Sequence, residues 1–193
     1  MATTPDPQDC WPSAGLHQGR LACTTLLRQA LLGMAPMPLP ANPRPNLPES
    51  MPITAPAPWA ATRQLWLADP DFTDWPLDEP AVLNALSAWL RQGGRQVQLV
   101  GLAFDTTARE RPRLARWRRD WSHAIAVWTP CDGVLPPPLH GLLAAPLRLQ
   151  WQDSADWRMR CTTDIAHAHR GHLQNADFLQ RCESAWPVTT LGL

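Results

Sequence analysis

The sequence predicts an α/β fold: a mostly parallel sheet with flanking helices, preceded by a helix and a proline-rich linker. Three observations lead there. Apolar runs of strand length stand at 63–68 (RQLWLA), 95–104 (RQVQLVGLAF) and 124–129 (AIAVWT). The two stretches between them repeat apolar residues at helical spacing, and the order strand, helix, strand, helix, strand implies parallel pairing through right-handed crossovers. From Ala35 to Pro58 a proline falls every two to four residues, a density that neither helix nor sheet survives. The division expected is therefore 1–34 as an N-terminal segment with one helix, 35–62 as linker, and 63–193 as the α/β domain.

Each element follows from local chemistry. Pro5, Pro7 and Pro12 make residues 1–15 read as frayed. Leu16, Cys23, Leu26, Leu27, Ala30 and Leu31 share a helical face over 16–34, and Gly33 stops it. Asp78, Glu79 and Pro80 open the next helix, with acids at its positive dipole end. Val82, Leu83, Leu86, Trp89 and Leu90 form its apolar face, and Gly93-Gly94 close it. A helix over 111–122 tolerates Pro112 only in its first turn and turns Leu114, Trp117 and Trp121 to the core. Residues 147–152 and 157–162 pair as a hairpin around Asp153–Asp156. A last helix over 172–186 buries Phe178, Leu179, Cys182 and Trp186.

Composition excludes more than it proposes. All 17 basic residues are arginine, so chemistries that need a lysine ammonium are closed: the Walker A loop, the pyridoxal Schiff base and the kinase core. Formal charge is zero, which leaves any attraction to nucleic acid or anionic lipid to local patches. There is no run of 18 apolar residues and no basic, apolar leader, and the five cysteines lack CxxC spacing. A cytoplasmic protein with reduced thiols, no membrane association and no cofactor is the expectation.

Four groups of residues invite a chemical reading. Asp69-Pro70-Asp71-Phe72-Thr73 follows an apolar strand, where open parallel sheets bind ligands. It resembles the DxDxT opening of haloacid-dehalogenase-type phosphatases, in which the first Asp is nucleophile, the second a general acid–base, and both help hold Mg²⁺. The same string also makes an ordinary Asp-rich turn at a helix cap. Arg109, Arg111, Arg113, Arg116, Arg118 and Arg119 oppose only Glu110 and Asp120. Their guanidinium groups suit phosphate, and Arg109, Arg113, Arg116, Arg118 and Arg119 are the candidate phosphate- or partner-binding set. The plainer use is a solvated helix face with an Arg116–Asp120 pair. His167, His169 and His172 lie within six residues, with Cys161 and Asp164 upstream, yet a helix brings at most two of the three imidazoles together. Cys131 follows a strand with His123 and His140 nearby in sequence, and no nucleophile elbow or glycine-rich phosphate loop accompanies it.

The strings LWLADPDFTDWPL, AVLNALSAWL, LARWRRDWSH and PVTTLGL resemble a family of uncharacterised bacterial proteins over roughly 63–193. The element order is also similar to one half of a phospholipase D-like domain. There, catalysis rests on His-x-Lys-x4-Asp, and no histidine here has lysine, or arginine in its place, at that spacing. That resemblance implies a half-domain without catalytic residues. The functional expectation is a non-catalytic binding or accessory module that meets a protein partner or itself. The alternatives are phosphate or nucleic-acid binding by the arginine helix, and a metal-dependent phosphoesterase using Asp69 and Asp71.

Overall fold

The three central strands form where their apolar runs stand. The structure, a computed structural model, describes residues 12–35 and 57–186. In chain order the elements are β1 (Gly15–Gln18), α1 (Arg20–Leu32), β2 (Gln64–Ala68), α2 (Pro80–Leu90), β3 (Gln96–Val100), α3 (Phe104–Glu110), α4 (Pro112–Asp120) and β4 (Ile125–Pro130). They continue as β5 (Gly141–Ala144), β6 (Leu147–Asp153), β7 (Arg158–Thr162), α5 (Ile165–Leu179) and β8 (Cys182–Ser184). The expected linker falls largely on residues 36–56, and the terminal string PVTTLGL on 187–193; both lie outside the described residues.

One eight-stranded sheet runs β1-β7-β6-β5-β2-β3-β4-β8. The fold is α/β, but the expectation of a mostly parallel sheet is wrong. Only β2–β3 and β3–β4 are parallel, and the other five pairings are antiparallel. Connection length is the reason. Helical crossovers carry the chain from β2 to β3 to β4, whereas only Ala145 and Pro146 separate β5 from β6. So short a link can only reverse the chain. The hairpin expected around Asp153–Asp156 is present as β6–β7, with a bulge between Trp151 and Asp153.

The sheet separates two apolar layers. Leu65, Leu67, Val97, Leu99, Ile125 and Val127 face one way and pack with residues of α1, α2 and α4. Trp66, Ala68, Val100 and Leu143 face the other way, against Ala168 and Phe178 of α5. The central strands are thus covered on both sides, which accounts for their near-continuous hydrophobicity. Segment 15–34 belongs to this body: Cys23, Leu26, Leu27, Ala30 and Leu31 are buried in the first layer. Trp59 donates its indole N–H to the Ala30 carbonyl at 3.0 Å. Its ring lies over Gly33 so closely that a Cβ there would come within 2.8 Å of it.

Three helical boundaries differ from expectation. Leu16 sits in β1, so α1 begins only at Arg20. The helix expected over 111–122 is preceded by a separate α3, because Arg111 takes φ −127° and ψ 70° ahead of Pro112. The last helix begins at Ile165, where the Asp164 carboxylate accepts from the Ala166 N–H at 2.8 Å. It ends at Leu179, and Cys182 lies in edge strand β8 rather than in a helix.

Gly141 opens β5 at φ +136°, and a Cβ there would collide with the Leu149 carbonyl of the adjacent strand. Gly141→Ala is therefore expected to lower unfolding stability by about 3 kcal/mol, combining backbone strain with overpacking. Urea unfolding should show the midpoint falling with its slope unchanged.

Candidate functional site

The segment after β2 is built around its own carboxylates. Asp69 Oδ1 accepts the backbone N–H groups of Phe72 at 2.9 Å and Asp71 at 3.2 Å. Asp71 Oδ1 accepts from Thr73 N–H at 2.8 Å. These are the turn contacts that aspartate makes with its own backbone two or three residues on. They hold Phe72 at φ 56°, a left-handed conformation rare for a bulky residue. That conformation delivers the Phe72 ring to the carboxyl ends of the parallel strands.

This crevice is filled. The Phe72 ring packs edge-on against Trp75 with centroids 5.5 Å apart, and beside Phe104 at 6.1 Å. Phe104 stacks on Trp186 at 5.6 Å. Gly101, at the end of β3, lies under the cluster; a Cβ there would stand 2.9 Å from the Asp69 carbonyl and 3.1 Å from both phenyl rings. Thr107 of α3 ties down the rim by donating its hydroxyl to the Asp71 carbonyl at 3.0 Å. Burial pushes the Asp69 carboxyl above its ordinary range, the Trp75 side chain and the two backbone N–H groups oppose that rise, and the Asp71 charge adds to it.

The remaining acids of this segment serve other elements. Asp78 Oδ1 accepts the Leu114 N–H at 2.9 Å and so caps α4 from outside its own helix. Its other oxygen lies 3.8 Å from Arg113. Glu79 pairs with Arg28 of α1 at 2.7 Å, and Asp74 with Arg20 at 3.3 Å. Asp78 and Glu79 stand at the start of α2 as expected, with Pro80 in its first turn, and they also hold α4 and α1 to it.

The arginines divide into two groups. Arg111 donates to the carbonyls of Trp75, at 2.8 Å, and Thr73. Arg118 is 7% exposed, with its guanidinium 5.6 Å from the Trp186 ring, and burial lowers its pKa. Of the candidate set, Arg113 leans on Asp78, and Arg109 returns its Nε–H to the Asp105 carbonyl at 3.3 Å. Arg116 and Arg119 are exposed, and the expected Arg116–Asp120 pair does not form among the described residues. Trp117 is buried, its N–H bonded to Ser87 Oγ at 2.8 Å, and is not a stacking plane.

The histidines do not converge. Among the described residues no three His, Cys, Asp or Glu side chains come together as a metal site. His167 meets Arg148 instead, Nε2 to guanidinium at 3.4 Å. Burial, then the charges of Arg148, Arg170 and Arg160, pull its pKa down, while Asp164 opposes them. Cys23, Cys131, Cys161 and Cys182 are free thiols. Arg148 escaped the sequence reading because it stands alone in its strand; its alternation with buried Leu147 and Leu149 was the available signal. Among the described residues no helix is long and apolar enough to cross a membrane.

No protein-family model matches the chain, and no curated protein does. Among solved structures the chain is similar to TrmBL2, an archaeal chromatin protein whose structure shows a novel mode of DNA binding. The TM-score is 0.56 at 10% identity, covering 89% of this chain and 54% of that one. The likeness is one of fold, and the chain spans about half of that protein's length.

Titration of Asp69 should show in stability. Its folded pKa lies above the ordinary value near 3.8, so protonation favours the fold; that contribution is full below 3.8 and is lost as pH rises through the folded pKa. Asp69→Asn keeps Oδ1 as acceptor and removes the buried charge. Its neutral-pH stability should equal or exceed wild type, with a flatter pH profile just above 3.8. Asp69→Ala leaves both N–H groups unpaired and should lose about 1–2 kcal/mol. Urea unfolding across acid to neutral pH reads both variants.

Proposed function

We propose that this domain is a non-catalytic binding module whose partner carries phosphate, with nucleic acid the favoured polymer. The observation that carries this reading is the aromatic plug at the strand ends. Phe72, Trp75, Phe104 and Trp186 occupy the place where an open parallel sheet would seat a substrate. Asp69 and Asp71 build the turn that holds the plug in position, a structural use that accounts for both without metal chemistry.

Binding then falls to the surface. Arg116 and Arg119, with Arg109 and the loosely paired Arg113, put guanidinium groups on the outer side of α3 and α4. They outnumber Asp105, Glu110 and Asp120 on the same two helices. Guanidinium forks recognise phosphate oxygens in pairs and need no deep pocket. The fold likeness to a DNA-binding chromatin protein supports this choice of partner.

A second reading, association with a protein or with another copy, rests on exposed apolar side chains. Leu21 of α1 is 81% exposed, Leu16 of edge strand β1 is exposed, and Ile165 and Leu173 are exposed on α5. Light scattering over a range of concentrations separates monomer from oligomer.

For the first reading, fluorescence anisotropy with labelled duplex DNA should give an affinity that falls linearly in log–log form with salt. Replacing Arg116 and Arg119 together with Ala should reduce that slope by about 2, roughly one per phosphate contact removed. Affinity that ignores salt, or a double variant indistinguishable from wild type, would refute it.

A further inference from the structure

At the end of the parallel strands opposite the aromatic plug, two arginines and a histidine stand in one row. Gln64 of β2 pairs with Gln96 of β3, and Val97 of β3 with Ile125 of β4. Carried back by one or two residues, these registers set Arg63 beside Arg95 and Arg95 beside His123. The Gln96 N–H still bonds the Arg63 carbonyl at 2.9 Å. Adjacent strands lie about 4.8 Å apart, so the row is roughly 10 Å long. By alternation its side chains turn to the same side as Leu65, Val97 and Ile125, the side covered by α2 and α4. Contacts with those helices agree. The Arg95 guanidinium lies 5.2 Å from the Trp89 ring of α2, and the His123 ring 5.7 Å from that of Trp121, just beyond α4.

The row carries positive charge that nothing nearby offsets. Segments 61–64, 89–96 and 116–124 bring Arg63, Arg91, Arg95, Arg116, Arg118 and Arg119 to this part of the molecule against one acid, Asp120. Among the described residues none of these except Arg118, which stacks on Trp186, has a charged or ring partner other than the Trp89 ring under Arg95. Burial, then the charge of Arg63, lowers the pKa of Arg95. The carboxyl ends of α2 and α4 supply only about half a negative charge each, too little for Arg63, Arg91, Arg95 and Arg119 together. Arg63, Arg91, Arg119 and His123 are exposed, so a counter-charge can reach them from solvent.

We propose that this edge binds the phosphate backbone of nucleic acid, continuing the surface of Arg116 and Arg119 around the amino-terminal end of the parallel strands. Arg63, Arg91 and Arg95 contact phosphate oxygens, and His123 adds a ring N–H. The inference rests on the nucleic-acid reading and deepens it by naming a second set of contacts. The chain itself supplies the continuity, since only Asp120, Trp121 and Ser122 separate Arg119 from His123. A row spread over three strands offers a line of donors rather than a pocket, which suits an extended polyanion better than one small ion. Each guanidinium fork takes two phosphate oxygens at once.

The test is fluorescence anisotropy of the full chain with labelled duplex DNA over a salt series. Replacing Arg63 and Arg91 together with Ala should reduce the log–log slope by about 2, and adding Arg95→Ala by about 1 more. Arg63 and Arg91 are exposed, so that pair should unfold in urea at the wild-type midpoint and carries the test if the triple variant does not fold. Removing Arg158 of β7 and Arg170 of α5, exposed elsewhere, deletes the same charge and should leave the slope unchanged. Polyglutamate should displace the DNA far less well than unlabelled duplex does. A slope that the Arg63 and Arg91 pair leaves untouched, or that the Arg158 and Arg170 pair lowers equally, overturns the edge. Equal displacement by polyglutamate overturns it in favour of an acidic protein. If only the Arg116 and Arg119 pair moves the slope, the edge fails alone; if only the Arg63 and Arg91 pair does, the α4 surface fails and the edge stands.

Discussion

Everything on the first face of the sheet is organised by the acidic stretch from Asp69 to Glu79. Its five carboxylates are distributed with little redundancy: Asp69 and Asp71 shape the turn, Asp74 and Glu79 reach Arg20 and Arg28 of α1, and Asp78 caps α4. Arg111 returns the connection by donating to two carbonyls of the same stretch. Ion pairs as exposed as those to α1 are individually weak. The part-buried hydrogen bonds from the Phe72 and Leu114 N–H groups matter more, because each would leave an unpaired donor if broken. The stretch is a hub joining α1, α2, α3 and α4, whereas its sequence suggests a turn or a phosphatase opening at one end and a helix start at the other.

With that hub fixed, the plug follows. Phe72 adopts its left-handed backbone because Asp69 holds the N–H groups before the bend and Asp71 the Thr73 N–H after it, and the bend aims a phenyl ring at the strand ends. Arginine then takes two separate roles. Arg111 and Arg118 are structural, one bonded to carbonyls and one buried against Trp186, while Arg116 and Arg119 stay in solvent. A run of six arginines read along the chain makes one feature; folded, it makes a strut, a stacked cation and a charged rim.

The parallel centre was legible because β2, β3 and β4 are five or six residues long, apolar, and separated by helical repeats. Of the antiparallel flanks, the β6–β7 hairpin was legible too, and the rest was not. β1, β5 and β8 have four residues or fewer, too short for alternation to register, and β5 is uniformly buried. Helix α5 was misplaced because its initiating residue, Asp164, lies among residues read as strand and loop, and its inward face includes Ala168, Gly171 and Asn175 rather than a leucine stripe. Of the candidate sites, Asp69 and Asp71 form the Asp-rich turn that was one of the two readings of their string, and spacing alone does not reveal which atoms face the backbone. Arg148 was passed over for a different cause: its alternation with Leu147 and Leu149 marks the other face of β6, but not that Gly171 of a distant helix packs over it.

The pairing of β1 with β7 sets residue 15 beside residue 161 across the edge of the sheet. During synthesis β1 emerges well over a hundred residues ahead of its partner β7. Helix α1 meanwhile carries Leu26, Leu27 and Leu31 with no completed layer to receive them, although α2 arrives much earlier and contacts it. β1 can join the sheet only once β7 has been made, a long-range contact of the kind that slows folding, and until then the β7 edge stays open.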